Sequence, residues 1–196
     1  MPDLTRTAKL ALRDQLLAAR RRIPVLDQGA GARATAEHLL ATEEVRRAAT
    51  VAAYVSVSHE PGTGPLLDAL AGAGTRVLLP VVTPEMDLDW AAYAGPEDLR
   101  RARGLLEPAG PRLGLDAVAG ADVVLVPALA VDRVGNRLGR GAGCYDRALA
   151  RVPVGTFTCV VLHRGEVVEH VPAESHDRTV AAAVTPDGLV RLVAGA

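Results

Sequence analysis

Residues 121–147 read ADVVLVPALAVDRVGNRLGRGAGCYDR, a strand, a loop and the start of a helix in succession. Between Asp122 and Asp132 there is no charge, only Val, Leu, Ala and one Pro. A continuous apolar run of this kind suits a strand covered on both faces, as in a parallel sheet flanked by helices. Beyond Asp132 the composition changes to glycine and arginine, and CYDRALARV predicts a helix.

The same alternation extends in both directions. TVAAYVSVSHE (50–60) predicts a strand, and PGTGP follows it, where Thr63 or Gly64 can cap a helix opened by Pro65. RVLLPVV (76–82) and LDWAAY (88–93) predict two more strands, PEDLRRA a short helix, and TFTCVVLH and RTVAAAVT two late strands. On the N-terminal side, residues 5–22 form an amphipathic pattern closed by Pro24. Helical stretches follow over about residues 31–41 and from Thr42, which is placed to cap the second. Strands alternating with helices predict an α/β fold, a three-layer sandwich with a mainly parallel central sheet and helices on both faces. With no repeat and no interdomain linker, residues 1–196 read as one domain.

Composition narrows the function classes. A net charge of -1 argues against a surface given over to nucleic acid or anionic membrane, so any anion site must be local. No segment is long and apolar enough to span a bilayer, and MPDLTRTAKLALRDQ lacks the apolar core of a secretion signal. Cys144 and Cys159 have no metal-binding spacing and make no disulfide framework, and Cys159 has the setting of a buried strand residue. The expectation is a cytoplasmic protein with neither a nucleic acid nor a membrane partner.

In parallel sheets ligands gather at the carboxyl ends of the strands. Three polar clusters fall there: SVSHEPGT, DRVGNRLGRGAGCYDR and HVPAESHDRT. In the second, Gly135, Gly139, Gly141 and Gly143 let the backbone turn sharply and bring its N–H groups toward a polyanion. Arg137, Arg140 and Arg147 add forked donors, and the following helix adds the positive end of its dipole. A plain surface loop also uses glycine, but not interleaved with arginine at the end of a buried strand. No Gly-Lys-Ser/Thr follows, and the loop is not a GxGxxG fingerprint near the first strand, so motif rules reach an anion site and stop there.

Other residues carry two readings each. Of the 22 basic residues all but Lys9 are arginine. Coding bias accounts for the arginines, while the retained lysine fits a place needing a compact ammonium. Lys9 and Arg13, four apart on one helix face, are either a solvated basic face or two cations sharing an anion. Read alone, Asp146 suits a helix N-terminus, Asp177 a turn or cap, and Glu60 a polar strand end.

The stretch VPALAVDRVGNRLGRGAGCYDR resembles the signature of the 5-formyltetrahydrofolate cyclo-ligase family. KLALR, YVSVSHEPGT, LLDALAGAGTRVLLPVV, GLLEP and VPAESHD agree with it in order, so the resemblance spans nearly the whole chain. It implies ATP- and Mg-dependent conversion of 5-formyltetrahydrofolate to 5,10-methenyltetrahydrofolate, ADP and phosphate, by a protein that is often monomeric. It further implies that Lys9, Leu10, Ala11, Leu12 and Arg13 reach the nucleotide from the first helix. The stretch Arg137, Leu138, Gly139, Arg140, Gly141, Ala142, Gly143, Cys144 and Tyr145, with Arg147, would wrap the triphosphate. Gly141 to Cys144, Val55, Glu60 and Arg140 would face the folate, and Asp146 and Asp177 would hold Mg. Lys9 and Arg140 would act catalytically. Tyr54 and Trp90 are either aromatic walls or core, and His176 has no catalytic role. Cys144 stands where the family commonly has tyrosine, and Ala181 where it often has aspartate. The rival expectations are a relative that keeps the ATP site for another substrate, and a non-catalytic nucleotide- or RNA-binding module.

Overall fold

The computed structural model describes residues 4–102 and 104–193. In chain order its elements begin with α1 (Leu4–Arg20), α2 (Val25–Leu40), α3 (Glu43–Arg47), β1 (Thr50–Ala52) and α4 (Gly64–Gly72). Next come β2 (Arg76–Val82), β3 (Leu88–Ala92), β4 (Leu99–Ala102), β5 (Leu105–Pro108), β6 (Val123–Pro127), β7 (Ala130–Val131) and β8 (Arg137–Leu138). The chain closes with α5 (Cys144–Leu149), β9 (Phe157–Val161), β10 (Ala182–Thr185) and β11 (Gly188–Arg191).

Seven strands form the central sheet in the order β11-β10-β9-β6-β1-β2-β3. The five inner strands are parallel, and β11 and β3 are added antiparallel at the two edges. Successive side chains of a strand point to opposite faces. Val51, Val77, Leu79, Val123, Leu125 and Cys159 therefore pack on one side, against Ala36 and Leu39 of α2 and Leu66, Leu67 and Leu70 of α4. Ala52, Leu78, Val124, Val126 and Val160 pack on the other, against Ala148 and Leu149 of α5 and Val118 of a 3₁₀ turn at Leu115–Gly120. The architecture is thus the expected three layers, with a thinner second helical layer.

Several elements differ from the sequence reading, most of them because long-range contacts override local pattern. β1 is three residues long, and beyond it the Ala53 N–H still reaches the Leu78 carbonyl. The apolar run 121–132 is two strands, β6 and β7. The second leaves the central sheet to form a hairpin with β8. PEDLRRA is only a 3₁₀ turn at Pro96–Asp98 followed by β4, because Leu99 to Ala102 find partners in β5. α2 begins at Val25, earlier than its apolar spacing suggests, with Val25 and Leu26 exposed.

The strand order reverses at β1, which has β2 on one side and β6 on the other. A crevice opens where the chain leaves neighbouring strands in opposite directions. The segments after β1 and after β6 carry two of the three polar clusters, and α1 lies across the β7–β8 hairpin through Leu16, Leu129, Leu138 and Val171.

Candidate active site at the strand carboxyl ends

A cleft of about 880 Å³ occupies this crevice. Its apolar wall comes from Val55, Pro80, Val82, Leu88, Leu105 and Leu106, and its polar wall from α1, the glycine-rich loop and residues of the 174–177 segment.

Helical spacing decides what α1 contributes. Lys9 and Arg13, one turn apart, share the face turned to the cleft together with Arg6 and Leu10. The Lys9 ammonium donates to Glu174 Oε2 at 2.5 Å and Asp177 Oδ2 at 2.6 Å, and the Glu174 N–H donates to the same Asp177 oxygen at 2.7 Å. Burial works to discharge both partners, but the bonds between them win. The Lys9 pKa is raised above its ordinary value and that of Asp177 lowered below. Both stay charged at neutral pH. Arg13 Nε donates to the Gly139 carbonyl at 2.8 Å, tying the helix to the loop.

The loop is built from its own side chains. The Asp132 carboxylate accepts from the N–H groups of Val134, Asn136 and Val171 and from the Asn136 amide, which closes the DRVGN turn. Gly135 sits at φ +89, and a Cβ there would meet the Val180 carbonyl at 2.5 Å, so only glycine fits. At Gly141, φ +102, a Cβ would lie 3.5 Å from the Arg13 guanidinium carbon. Arg137 is 6% exposed and donates to Asp146 Oδ1 at 2.7 Å, an oxygen that also accepts the Arg178 N–H. Burial lowers the Arg137 pKa and the nearby carboxylates oppose the shift, so the guanidinium remains charged. Its Nε is buried without a partner.

Glu60 is fixed at the mouth of the segment after β1. The Val57 N–H donates to its Oε2 at 3.0 Å, and Arg140 Nη2 lies 3.1 Å from its Oε1. Ser56 and Thr63 exchange backbone-to-hydroxyl bonds, and the Thr63 hydroxyl donates to the Tyr54 carbonyl, so the whole segment is pinned.

Most expected site residues meet in this cleft: Lys9, Leu10, Arg13, Val55, Glu60, Arg137 through Asp146, and Asp177. Ala11, Leu12 and Arg147 lie outside its lining. Leu12 turns inward to pack beside Leu16, as its place on the helix dictates, and Arg147 bonds the Ala142 and Met86 carbonyls instead. Trp90 is fully buried in the second core face, and Tyr54 is buried with its ring in the cleft wall. Cys144 lines the cleft, whereas Ala181 sits outside it, just before β10. α5 has only six residues, so the backbone groups and arginines of the loop outweigh its dipole.

Two acidic residues escaped the sequence reading. Glu174 lies inside the VPAESHD motif, and Glu107, inside GLLEP, is buried in the cleft wall accepting the Val82 N–H at 3.0 Å. The β4–β5 hairpin that brings Leu105 and Leu106 over the cleft was hidden by the helical look of PEDLRRA. Among the described residues, Glu174, His176 and Asp177 offer ligand atoms within 4.8 Å of one another, and Asp146 is not in that group.

Fold and cleft together define an α/β protein whose topological switch point carries a cleft with one cationic wall and one apolar wall. Sequence comparison narrows this, for residues 5–186 match the 5-formyltetrahydrofolate cyclo-ligase family, and the chain belongs to it. A 5-formyltetrahydrofolate cyclo-ligase of Mycolicibacterium smegmatis is 40% identical, with 94% of this chain and 97% of that one aligned. One of Escherichia coli K12 is 35% identical over 77% of this chain and 85% of its own length. The solved structure of Aquifex aeolicus 5,10-methenyltetrahydrofolate synthetase superposes with a TM-score of 0.81 at 27% identity, covering 96% of this chain and 94% of the other.

Proposed function

We propose that this chain converts 5-formyltetrahydrofolate to 5,10-methenyltetrahydrofolate with consumption of ATP and release of ADP and phosphate, in the cytoplasm. The observation that carries this reading is one cleft in which Lys9, Arg13, Arg137 and Arg140 converge beside an apolar wall and the carboxylate of Glu60. Relatives bearing the cyclo-ligase name support the substrate.

The formyl group is an amide. Its carbon resists attack by the neighbouring N10 amine, and its oxygen is a poor leaving group. Transfer of the γ-phosphoryl group to that oxygen removes both obstacles, after which N10 closes the ring, gives up its proton to solvent, and phosphate departs. Such a transfer depends on positioning and neutralisation of charge more than on covalent help. Arg137, Arg140 and the loop backbone hold the triphosphate, and Lys9 takes up charge on the transferred group. Glu60 accepts hydrogen bonds from the amino-pyrimidine edge of the pterin, and Val55 packs against it.

Glu174 and Asp177 offer carboxylate oxygens close enough to share a magnesium ion, and Asp146 lines the same cleft outside that group. Asp146 and Asp177 both line the cleft, and each commits one oxygen to cations or N–H donors, Asp146 Oδ1 and Asp177 Oδ2. Hard oxygen ligands in small number suit magnesium shared with phosphates. When bound, the ion would neutralise the phosphate oxygens, and Glu174 adjoins the same place.

The test is to mix the protein with 5-formyltetrahydrofolate, magnesium and ATP and to follow the near-ultraviolet absorbance of the methenyl product. An ATP-dependent rise is expected. Its absence at substantial protein concentration would sink the assignment.

A further inference from the structure

Arg147 of α5 and Arg151, two residues past its end, both reach the turn between β2 and β3. Arg151 forks onto the Asp87 carboxylate, Nη1 to Oδ1 at 3.0 Å and Nη2 to Oδ2 at 2.6 Å, and its Nη1 also donates to the Arg147 carbonyl at 3.1 Å. Arg147 Nη2 donates to two carbonyls from different segments. One belongs to Met86 in the turn, the other to Ala142 in the glycine-rich loop, at 2.9 Å. Met86 lines the cleft between Val82 and Leu88 of the apolar wall, and Ala142 lines it on the cationic side. A single guanidinium outside the cleft therefore bridges its two walls.

Both ends of the bridge rest on special backbone. Met86 is in the left-handed region at φ +62, where a residue other than glycine is strained. Its N–H donates to the Thr83 carbonyl at 3.1 Å, Arg147 takes its carbonyl, and Arg151 clamps the next residue. Ala142 stands between Gly141 and Gly143, at φ +102 and +71, and a Cβ on Gly143 would lie 3.1 Å from Arg147 Nη1. The guanidinium thus packs directly on the loop backbone. Arg147 itself is exposed, so its loss would free the loop from the turn without opening the core.

We infer that Arg147 is a positioning residue that touches neither ligand but holds the glycine-rich loop in register with the Met86 turn, so that nucleotide on the loop and folate on the apolar wall favour each other's binding. The inference rests on the reading above that the cleft takes both molecules, and it replaces the triphosphate contact that family resemblance implies for Arg147. A ligand seated on the loop orders Ala142 and, through Arg147, the turn. The second ligand then meets a wall already in place. The gain is the same in either order of binding, because both routes end at one ternary complex.

Calorimetry with magnesium and adenylyl imidodiphosphate, which cannot pass on its γ-phosphoryl group, measures nucleotide affinity alone and with saturating 5-formyltetrahydrofolate. The wild-type protein should bind the analogue at least about fivefold more tightly when folate is present. Arg147→Ala should bring that ratio close to one while leaving the affinity for each ligand alone near wild type. Arg147→Lys, whose ammonium can still donate to both carbonyls, should recover most of the ratio, and melting curves should show both variants folded. A variant weakened for the nucleotide alone as strongly as with folate would make Arg147 a direct phosphate contact and overturn the inference. So would a wild-type ratio of one, or a ratio that survives in Arg147→Ala, and each of these leaves the folate reading intact. If the wild-type protein binds no 5-formyltetrahydrofolate, the folate reading falls and the role of Arg147 with it.

Discussion

The helix α1 carries two buried cations, and their surroundings separate fold from function. Arg20 is 2% exposed and makes three bonds, two to Glu166 and one to the Ala128 carbonyl, while Glu166 also accepts the His163 N–H. Every partner is fixed, and the group ties the end of the helix to the segments that follow β6 and β9. Lys9 is 6% exposed, but its partner Glu174 has a side chain 31% exposed and Asp177 one 17% exposed. The same interaction type, helix cation to a carboxylate from the last third of the chain, is closed at one end and open to solvent at the other. A planar fork suits the permanent bond, and a compact, rotatable ammonium suits the exchange of partners that the proposed nucleotide role of Lys9 would require.

The largest expected effect lies at the closed end. Arg20→Ala leaves Glu166 buried without its cation, which costs about 3–5 kcal/mol. Urea unfolding should show that loss, and Arg20→Lys should not restore it, because a single ammonium nitrogen cannot reproduce the planar fork that meets both Glu166 oxygens side by side while also reaching the Ala128 carbonyl. If Arg20→Ala melted like wild type, the contrast would collapse.

At the open end the loss should appear in nucleotide use. Lys9→Ala is expected to raise the apparent KM for ATP by at least about tenfold, since a charge-assisted contact is removed, with a stability change of only about 1 kcal/mol because solvent reaches its partners. Unchanged ATP kinetics with a much lower Tm would place Lys9 on the structural side with Arg20.

The pH dependence sharpens the same point. The Asp177 pKa is depressed in the folded state, so its contribution to stability is present above the unfolded value of about 3.9 and lost as pH falls through the lower folded value. The Lys9 pKa is raised, so its contribution is full below about 10.4 and lost as pH rises through the higher folded value. Lys9→Met should therefore lose less Tm than wild type between neutral pH and about pH 3. Parallel curves for the two proteins would contradict the pairing.

The smallest effect is expected for Glu174→Gln, which keeps an acceptor for Lys9 while Asp177 retains the charge. Stability should stay within about 0.5 kcal/mol of wild type, and the KM for ATP should shift far less than in Lys9→Ala. A loss as large as that of Arg20→Ala would mean the open end is closed after all.

How much of this was legible in the sequence follows from the range of the interactions. β2 was readable to the residue, because six apolar positions in a row after Arg76 need no distant partner to be recognised. The DRVGNRLGRGAGCYDR loop was readable for the same reason, as turn chemistry is local. Lys9 and Arg13 could be placed on one face from spacing alone. Arg20 could not be told from its neighbours Arg21 and Arg22, since burial comes from Glu166, 146 positions away. The role of Glu174 was hidden likewise, as it exists only through Lys9. β4 was misread because its pairing with β5 outweighs a local pattern that suits a helix.

If the formyl oxygen is phosphorylated in this cleft, as proposed, isotope transfer reports it. With 5-formyltetrahydrofolate carrying a heavy oxygen isotope in its formyl group, mass spectrometry of the released phosphate should find the label there, one atom for each methenyl product formed. Methenyl product accompanied by unlabelled phosphate would contradict the account.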